Sequence, residues 1–526
     1  MGRSLTDRVR GHRARVRRFG GACAALLLVM AGCSDDGDDS AEPTESTTTA
    51  PEATDESGAQ ADDERVFDTT GIEVTGPITG GRGVPQTATP IDLAARGYVE
   101  EEFFVSGDAV SYSPVGTFGE DGNWEVSEGP AAPYTTRILV RRPAAADRFN
   151  GTVVVEWLNV SSLVDLDAEF AFNAEEVLRG GYAWVGVSAQ AAGVETSEAA
   201  GDLGPGAVGL KAWDPERYGT LSHPGDAHSY DIFSDVGAVL RRPGAVDPLG
   251  GLTPEVVLAV GESQSAFRLV TYVNAVQPRA GVYDGVLIHS RDGMASPLGE
   301  GWFGDEIPTP TKLRTDLDIP VLQVQSEADL YDLWPGDATR AFPPARQPDT
   351  DRIRTWEIAG AAHSDRHMLE YLAAQGSQFE GFPDLSVVFP TANDGPQTYV
   401  MRAALRALRD WVVDGTPPPR SQPIETADGA IVRDELGIAR GGIRTPIVDV
   451  PVEVNSSVGL PLIGSRTPMD PAAIAARYES VEASRQQQLY RQQVEASLAA
   501  AISEGFVLAD DRDELLADVL ARFPSG

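Results

Sequence analysis

Residues 256–273 read VVLAVGESQSAFRLVTYV, and the change of pattern inside this stretch decides the fold class. Val256 to Val260 is an unbroken apolar run rich in valine, the composition of a strand buried on both faces. From Ala266 onward the apolar residues Ala266, Leu269, Val270 and Val273 recur on one helical face. Gly261, Glu262, Ser263, Gln264 and Ser265 lie between. A chain that leaves a strand and enters a helix within so few residues turns sharply, and the residue at the apex, Ser263, takes a strained backbone conformation. The positions two residues to either side must then be small. Gly261 meets that need fully, and Ser265 keeps the residue small without being glycine.

Working outward, strand patterns recur at TTRILVRRP (135–143), GTVVVEWLN (151–159), YAWVGVSAQ (182–190), YDGVLIHS (283–290), IPVLQVQSE (319–327) and IRTWEIAGAAH (353–363). Helical patterns separate them, as in Ile232, Phe233, Val236, Val239 and Leu240 on one face. Continuous apolar strands alternating with amphipathic helices predict an α/β fold of three layers, a mostly parallel sheet covered on both sides. Two long segments bearing Gly and Pro, about 191–228 and 291–318, are expected to form a lid or rim. Phe103, Phe104, Trp302, Phe303 and Trp334 are candidates to line an apolar pocket. The stretch from about 420 to 526 reads as a C-terminal helical extension. It holds one helix from about Pro471 to Glu504, closed by Gly505, and another after Asp510 or Asp511 with an Asp cap.

The turn around Ser263 resembles the nucleophile elbow of α/β-hydrolases. Together with EWLNVS (156–161), DPERYGTLSHPGD (214–226), QSEAD (325–329) and AGAAHSD (359–365), it makes the chain similar, over about residues 95–523, to a family of bacterial alpha/beta hydrolase domain proteins. The resemblance implies the α/β-hydrolase fold and a Ser, acid, His order of site residues.

An activated serine needs a base, and an imidazole base needs a carboxylate to fix its tautomer and stabilise the imidazolium. After Ser263 the histidines are His289, His363 and His367. His363 fits best, just past a strand end among small residues. His367, four residues on, reads as a solvated or capping histidine. For the acid, IPVLQVQSEAD resembles the strand that carries the carboxylate in this superfamily; Asp329 is favoured, and Glu327 is the alternative. The Gln264 amide, at a helix N-terminus, is expected to face a developing oxyanion. A second donor is sought in VVVEWLNVSS, from the amide of Leu158 or Asn159 or from the Asn159 side chain. His223, Asp226 and His228 read as a turn rather than a metal site, and no cofactor is expected.

The N-terminus carries seven arginines before residue 19, an apolar run from Ala22 to Met30, then Met30-Ala31-Gly32-Cys33. This reads as a signal peptide over 1–32 resembling that of a bacterial lipoprotein, with Cys33 lipidated as the first mature residue; Arg17-Arg18 before Phe19 suggests a twin-arginine route beside the general one. Residues 34–64 hold twelve Asp or Glu and no Lys or Arg. They bury too little apolar surface to fold, so 33–64 reads as a disordered acidic tether ahead of a domain over 65–526. Cys23 and Cys33 are the two cysteines, which excludes an intramolecular disulfide framework in the body. A net charge of −37 argues against nucleic acid, whose phosphates require basic residues. These features lead to a secreted serine hydrolase held at the cell membrane by a lipid on Cys33, acting on a small-molecule ester through an acyl-enzyme. An amidase, peptidase or acyltransferase with the same triad is the alternative, or a catalytically silent binding lipoprotein. Oligomeric state is left open.

Overall fold

The structure, a computed structural model, describes residues 67–195, 208–301, 304, 306–333, 337–376, 389–478 and 482–524. The expected signal peptide, Cys33 and tether lie outside the described residues, as do 196–207 of the first insertion and Trp302, Phe303 and Trp334.

Nine strands form one sheet: β1 (Glu73–Thr75), β2 (Tyr98–Pro114), β3 (Val126–Pro143), β4 (Thr152–Trp157), β5 (Ala183–Val187), β6 (Val256–Glu262), β7 (Gly285–His289), β8 (Val321–Ser326) and β9 (Ile353–Ile358). Their order is β1-β2-β3-β5-β4-β6-β7-β8-β9. From β5 to β9 every neighbouring pair is parallel, while β1, β2 and β3 join antiparallel at one edge. The helices of the body that frame the site include α1 (Ala168–Gly180), α2 (Ser229–Arg241), α3 (Gln264–Thr271), α4 (Ala328–Tyr331), α5 (Arg366–Gly376) and α6 (Gln397–Asp414).

Strand β6 shows why the layers form. It is buried at every residue. Its Val257 and Ala259 pack into one core with Ile232 and Phe233 of α2 and Leu269 of α3. Val256, Leu258 and Val260 point to the opposite core, with Phe170 of α1, Met368 of α5 and Leu408 of α6. Side chains alternate across a strand, so a strand apolar at every position demands helices on both faces. The chain runs from β4 outward to β5, then returns past β4 to β6. That reversal opens a crevice beyond the carboxyl ends of β4 and β6, where open α/β sheets place their ligands.

Five expectations change. The 98–143 region is a long hairpin of β2 and β3, of which the sequence pattern showed only 135–143. Within it Phe103 joins the main core, and Phe104 packs with Leu210, Trp213 and Tyr218, so neither is free to line a pocket. The C-terminal extension is not wholly helical. Two hairpins, β10 (Thr426–Ala427) with β11 (Ala430–Ile431) and β12 (Glu453–Leu460) with β13 (Gly464–Pro468), precede the helices. The single helix expected over 471–504 is two, α7 (Pro471–Arg477) and α8 (Ala483–Glu504), the second ending at left-handed Gly505 as its position implied. Asp511 precedes α9 (Arg512–Ala521) without capping it. Its carboxylate instead pairs with Arg179 of α1 and Arg402 of α6, which clamps the extension onto the helices that cover one face of the sheet.

Candidate active site

Ser263 sits between β6 and α3 with φ 58° and ψ −120°, a backbone conformation that non-glycine residues avoid. The surroundings hold it there. The Ser263 amide donates to the carbonyl of His289 at the end of β7, 3.0 Å away. A Cβ on Gly261 would come within 2.9 Å of Leu269 and 3.2 Å of Ser265 Oγ, so the first flanking position has to be bare. Ser265 braces the turn: its Oγ donates to the Glu262 carbonyl at 2.8 Å and accepts from the Glu262 amide at 3.1 Å.

The parallel sheet brings three sequence-distant groups to this elbow. Ser263 Oγ lies 2.7 Å from His363 Nε2, and His363 Nδ1 lies 2.7 Å from Asp329 Oδ1. His363 follows β9, and Asp329 opens the short helix α4 after β8. The second Asp329 oxygen accepts from the Ser326 amide at 2.7 Å, which fixes the carboxylate plane. Glu327 is placed elsewhere. One of its oxygens accepts from the Gly360 amide, the other from Ser457 Oγ and Arg433 Nη1. It supports the loop of His363 without touching the imidazole. His367 lies in α5, its Nε2 2.9 Å from the Ala171 carbonyl and its ring stacked on Phe172. His223 is part of a turn, with Nε2 beside the Ala189 carbonyl and Nδ1 accepting from the Gly225 amide.

Gln264 is the first residue of α3, and its amide belongs to the opening turn whose donors have no partner within the helix. Asn159 does not supply the second donor. Its amide pairs with the Leu166 carbonyl at 3.0 Å, and its Nδ2 donates to the carbonyl and carboxylate of Glu262. The Leu158 amide is taken by the Val187 carbonyl. The neighbouring Val160 amide is freer, meeting only Gln264 Oε1 at a long 3.4 Å. Strand pairing beyond the end of β4 consumes the two amides nearest the sheet and leaves the third.

Reading the sequence missed Glu262, although it lies inside the elbow. Its Oε1 is 3.3 Å from His363 Nε2. Burial pushes this carboxyl up to about 7, with His363 and His289 pulling the other way. For His363, burial disfavours the charged form, but Asp329 and then Glu262 outweigh it and raise the imidazole to about 9. Also missed was Arg268 of α3, fully buried, which pairs with Asp226 at 2.9 Å and donates to the carbonyls of Pro297 and Gly301. Both long insertions are thereby tied to the helix that carries Ser263. Asp226 also accepts from Gln190, which accepts in turn from Gln264 Nε2 and Trp157 Nε1.

The sequence model of the alpha/beta hydrolase domain family matches residues 74–517. This chain belongs to that family. No curated protein matches the sequence. Among solved structures this hydrolase is similar to an α/β serine hydrolase without a lid from Xanthomonas campestris, at 11% identity over 53% of this chain and 94% of that one, with a TM-score of 0.27. A fungal esterase from Rhizomucor miehei matches at 11% identity over 63% and 90% of the two chains, TM-score 0.28. The esterase Est22 matches at 12% over 60% and 83%, TM-score 0.30.

Proposed function

We propose that this hydrolase is a secreted, lipid-anchored carboxylic ester hydrolase with Ser263 as nucleophile, His363 as general base and Asp329 as the acid that orients the base. The observation that carries the reading is the pair of 2.7 Å contacts running from Ser263 Oγ through His363 to Asp329. Asp329 accepts from Nδ1, which leaves Nε2 bare to withdraw the hydroxyl proton as Oγ attacks the ester carbonyl. The oxyanion so formed is met by the amides of Gln264 and Val160. His363 then delivers its proton to the departing alcohol, and an acyl group is left on Ser263. Water, deprotonated by the same imidazole, releases the acid. The reaction needs no cofactor.

A fluorophosphonate probe tests the assignment. It should label the wild type and fail to label Ser263→Ala, whose ester hydrolysis should fall by ~10⁴. Undiminished hydrolysis by the alanine variant would refute the nucleophile. Export and anchoring rest on Met30-Ala31-Gly32-Cys33 behind the arginine-rich start and apolar run. Cys33→Ala should shift the protein from the membrane fraction to the soluble fraction or leave it unprocessed. An unmodified Cys33 in soluble mature wild type would overturn the anchor.

A further inference from the structure

Seven arginines are buried among the described residues, and six of them have a carboxylate partner: Arg137, Arg141, Arg217, Arg268, Arg354 and Arg402. The seventh, Arg291, is fully buried, and Nε, Nη1 and Nη2 all lack a hydrogen-bond partner. An unpaired charge taken out of water costs several kcal/mol, so a fold that pairs its other buried guanidiniums has reason to leave this one open. Burial pushes Arg291 down to about 10, opposed by the neighbouring Asp292, which leaves it charged at neutral pH.

The surroundings repeat the pattern. Strands β7 and β8 run in register with His289 beside Val324, and the Ser290 amide donates to the Val324 carbonyl at 2.8 Å. Ser290 and Arg291 follow β7 where Gln325 and Ser326 close β8, at the carboxyl ends of two adjacent strands, and Ser290, at φ 52°, turns the chain out of strand geometry. Ser290 Oγ, both polar atoms of the Gln325 amide and Ser326 Oγ are likewise buried without partners. The Phe342 ring stands 5.4 Å from the guanidinium and forms an apolar wall. This cluster belongs to the active-site end of the sheet. It begins one residue past His289, whose carbonyl holds the Ser263 amide, and the charge of Asp292 is felt at His363.

We propose that Arg291, at the carboxyl ends of β7 and β8, forms an anion site for a free carboxylate on the substrate, so that the enzyme prefers esters of acidic molecules. The proposal rests on the reading of Ser263 as nucleophile. A planar guanidinium matches a carboxylate with two parallel hydrogen bonds. Asp292 does not hydrogen-bond the guanidinium, none of whose nitrogens has a partner, and its Oδ1 accepts from the Met294 amide.

Two matched ester pairs test the selectivity: mono-para-nitrophenyl glutarate against para-nitrophenyl valerate, and para-carboxyphenyl acetate against phenyl acetate. In at least one pair kcat/KM of the wild type should favour the charged ester by about 30-fold or more, the loss expected when a buried hydrogen-bonded charge goes unmatched. Arg291→Met should lose that preference while hydrolysing the neutral ester within about threefold of wild type. Its melting temperature should not fall, because the substitution removes an unpaired buried charge. If it does not fold, Arg291→Lys, which keeps the charge and loses the planar fork, should still reduce the preference by about tenfold. Binding is read without turnover by the melting temperature of Ser263→Ala in glutarate and in benzoate. At least one of them should raise it beyond sodium chloride of equal ionic strength, and not in the double variant with Arg291→Met. Absence both of any preference in an active wild type and of any carboxylate-dependent stabilisation overturns the site and leaves the esterase reading intact. Inactivity on every ester with the carboxylate-dependent stabilisation present overturns the esterase reading alone. Stabilisation by a carboxylate without ester selectivity means that the site takes a free anion, and overturns its assignment to substrate.

Discussion

Replacing Asp329 by Asn separates the roles of two acids that lie two residues apart in the sequence. The Asp329 carboxylate faces two donors, His363 Nδ1 at 2.7 Å and the Ser326 amide at 2.7 Å, and the residue is fully buried. Asparagine offers one acceptor and one donor in the same volume. The Ser326 amide can only donate, so the Asn oxygen stays there and its NH₂ turns to His363. Nδ1 then has to accept, the proton moves to Nε2, and the atom 2.7 Å from Ser263 Oγ can no longer take a proton. The opposite orientation of the amide leaves a buried N–H unsatisfied, at about 1–3 kcal/mol, which holds the competent tautomer to a small fraction. Loss of the charge opposite the imidazolium adds to this, for a total on the order of 10⁴ in kcat. Glu327→Gln removes charge from a site that supports Gly360, Ser457 and Arg433, so its effect should appear in the melting temperature while kcat stays within about threefold. Both variants are measured on para-nitrophenyl acetate, with unfolding followed by circular dichroism. An Asp329→Asn enzyme within tenfold of wild type beside a Glu327→Gln enzyme that has lost its activity would refute the argument.

Two further outcomes follow from the buried charges. Glu262 helps to hold His363 up at about 9, so the rising limb of kcat/KM against pH should lie on the alkaline side for wild type and move to lower pH in Glu262→Gln; an unmoved limb would show that Glu262 does not act on the base. The carboxyls of Asp235 and Glu262, each up to about 7, and of Asp365, up to about 6, all have their buried forms raised by burial above the ordinary range, and His363 is raised as well. A group whose folded-state value is raised stabilises the fold below its unfolded value and loses that stability as pH rises through the folded one, so the melting temperature should fall steadily from about pH 5 to about pH 9. A flat or rising curve in a buffer series of constant ionic strength would contradict these directions.

The parallel half of the sheet was legible in the sequence because its strands are buried on both faces and therefore apolar at every position. The β2–β3 hairpin was not, and the reason is chemical. Glu100, Glu101 and Glu102 stand in a row in β2, which reads as solvated chain. In the fold Glu102 is buried against Arg137 of β3 and Arg217, and Glu100 bonds Arg141. The partners that neutralise these charges come from 35 to 115 residues away, a distance that no local pattern spans. The hairpins of 426–468 escaped for a related reason: much of what they cover, such as Glu327 and Gly360, belongs to the loops of the site rather than to a periodic core.

The candidate site divides along the same line. The structure brings Ser263, His363 and Asp329 together because each follows a legible strand, and parallel topology delivers strand ends to one edge. The contacts that hold Glu327 away from His363, with Gly360, Arg433 and Ser457, and those that occupy Asn159, with Leu166 and Glu262, are all created by folding. Glu262 was overlooked because the residue beside the serine reads as a variable position of the elbow. The departure from the pattern at Ser265 is what gives Glu262 its place. A glycine there would relieve crowding through conformational freedom alone. Serine relieves it less, but its hydroxyl bonds both the amide and the carbonyl of Glu262, and Asn159 Nδ2 meets the carboxylate from the other side. Backbone and side chain of Glu262 are thus fixed with an oxygen 3.3 Å from the base. The serine that weakens the likeness to the common elbow helps hold a second carboxylate at the imidazole.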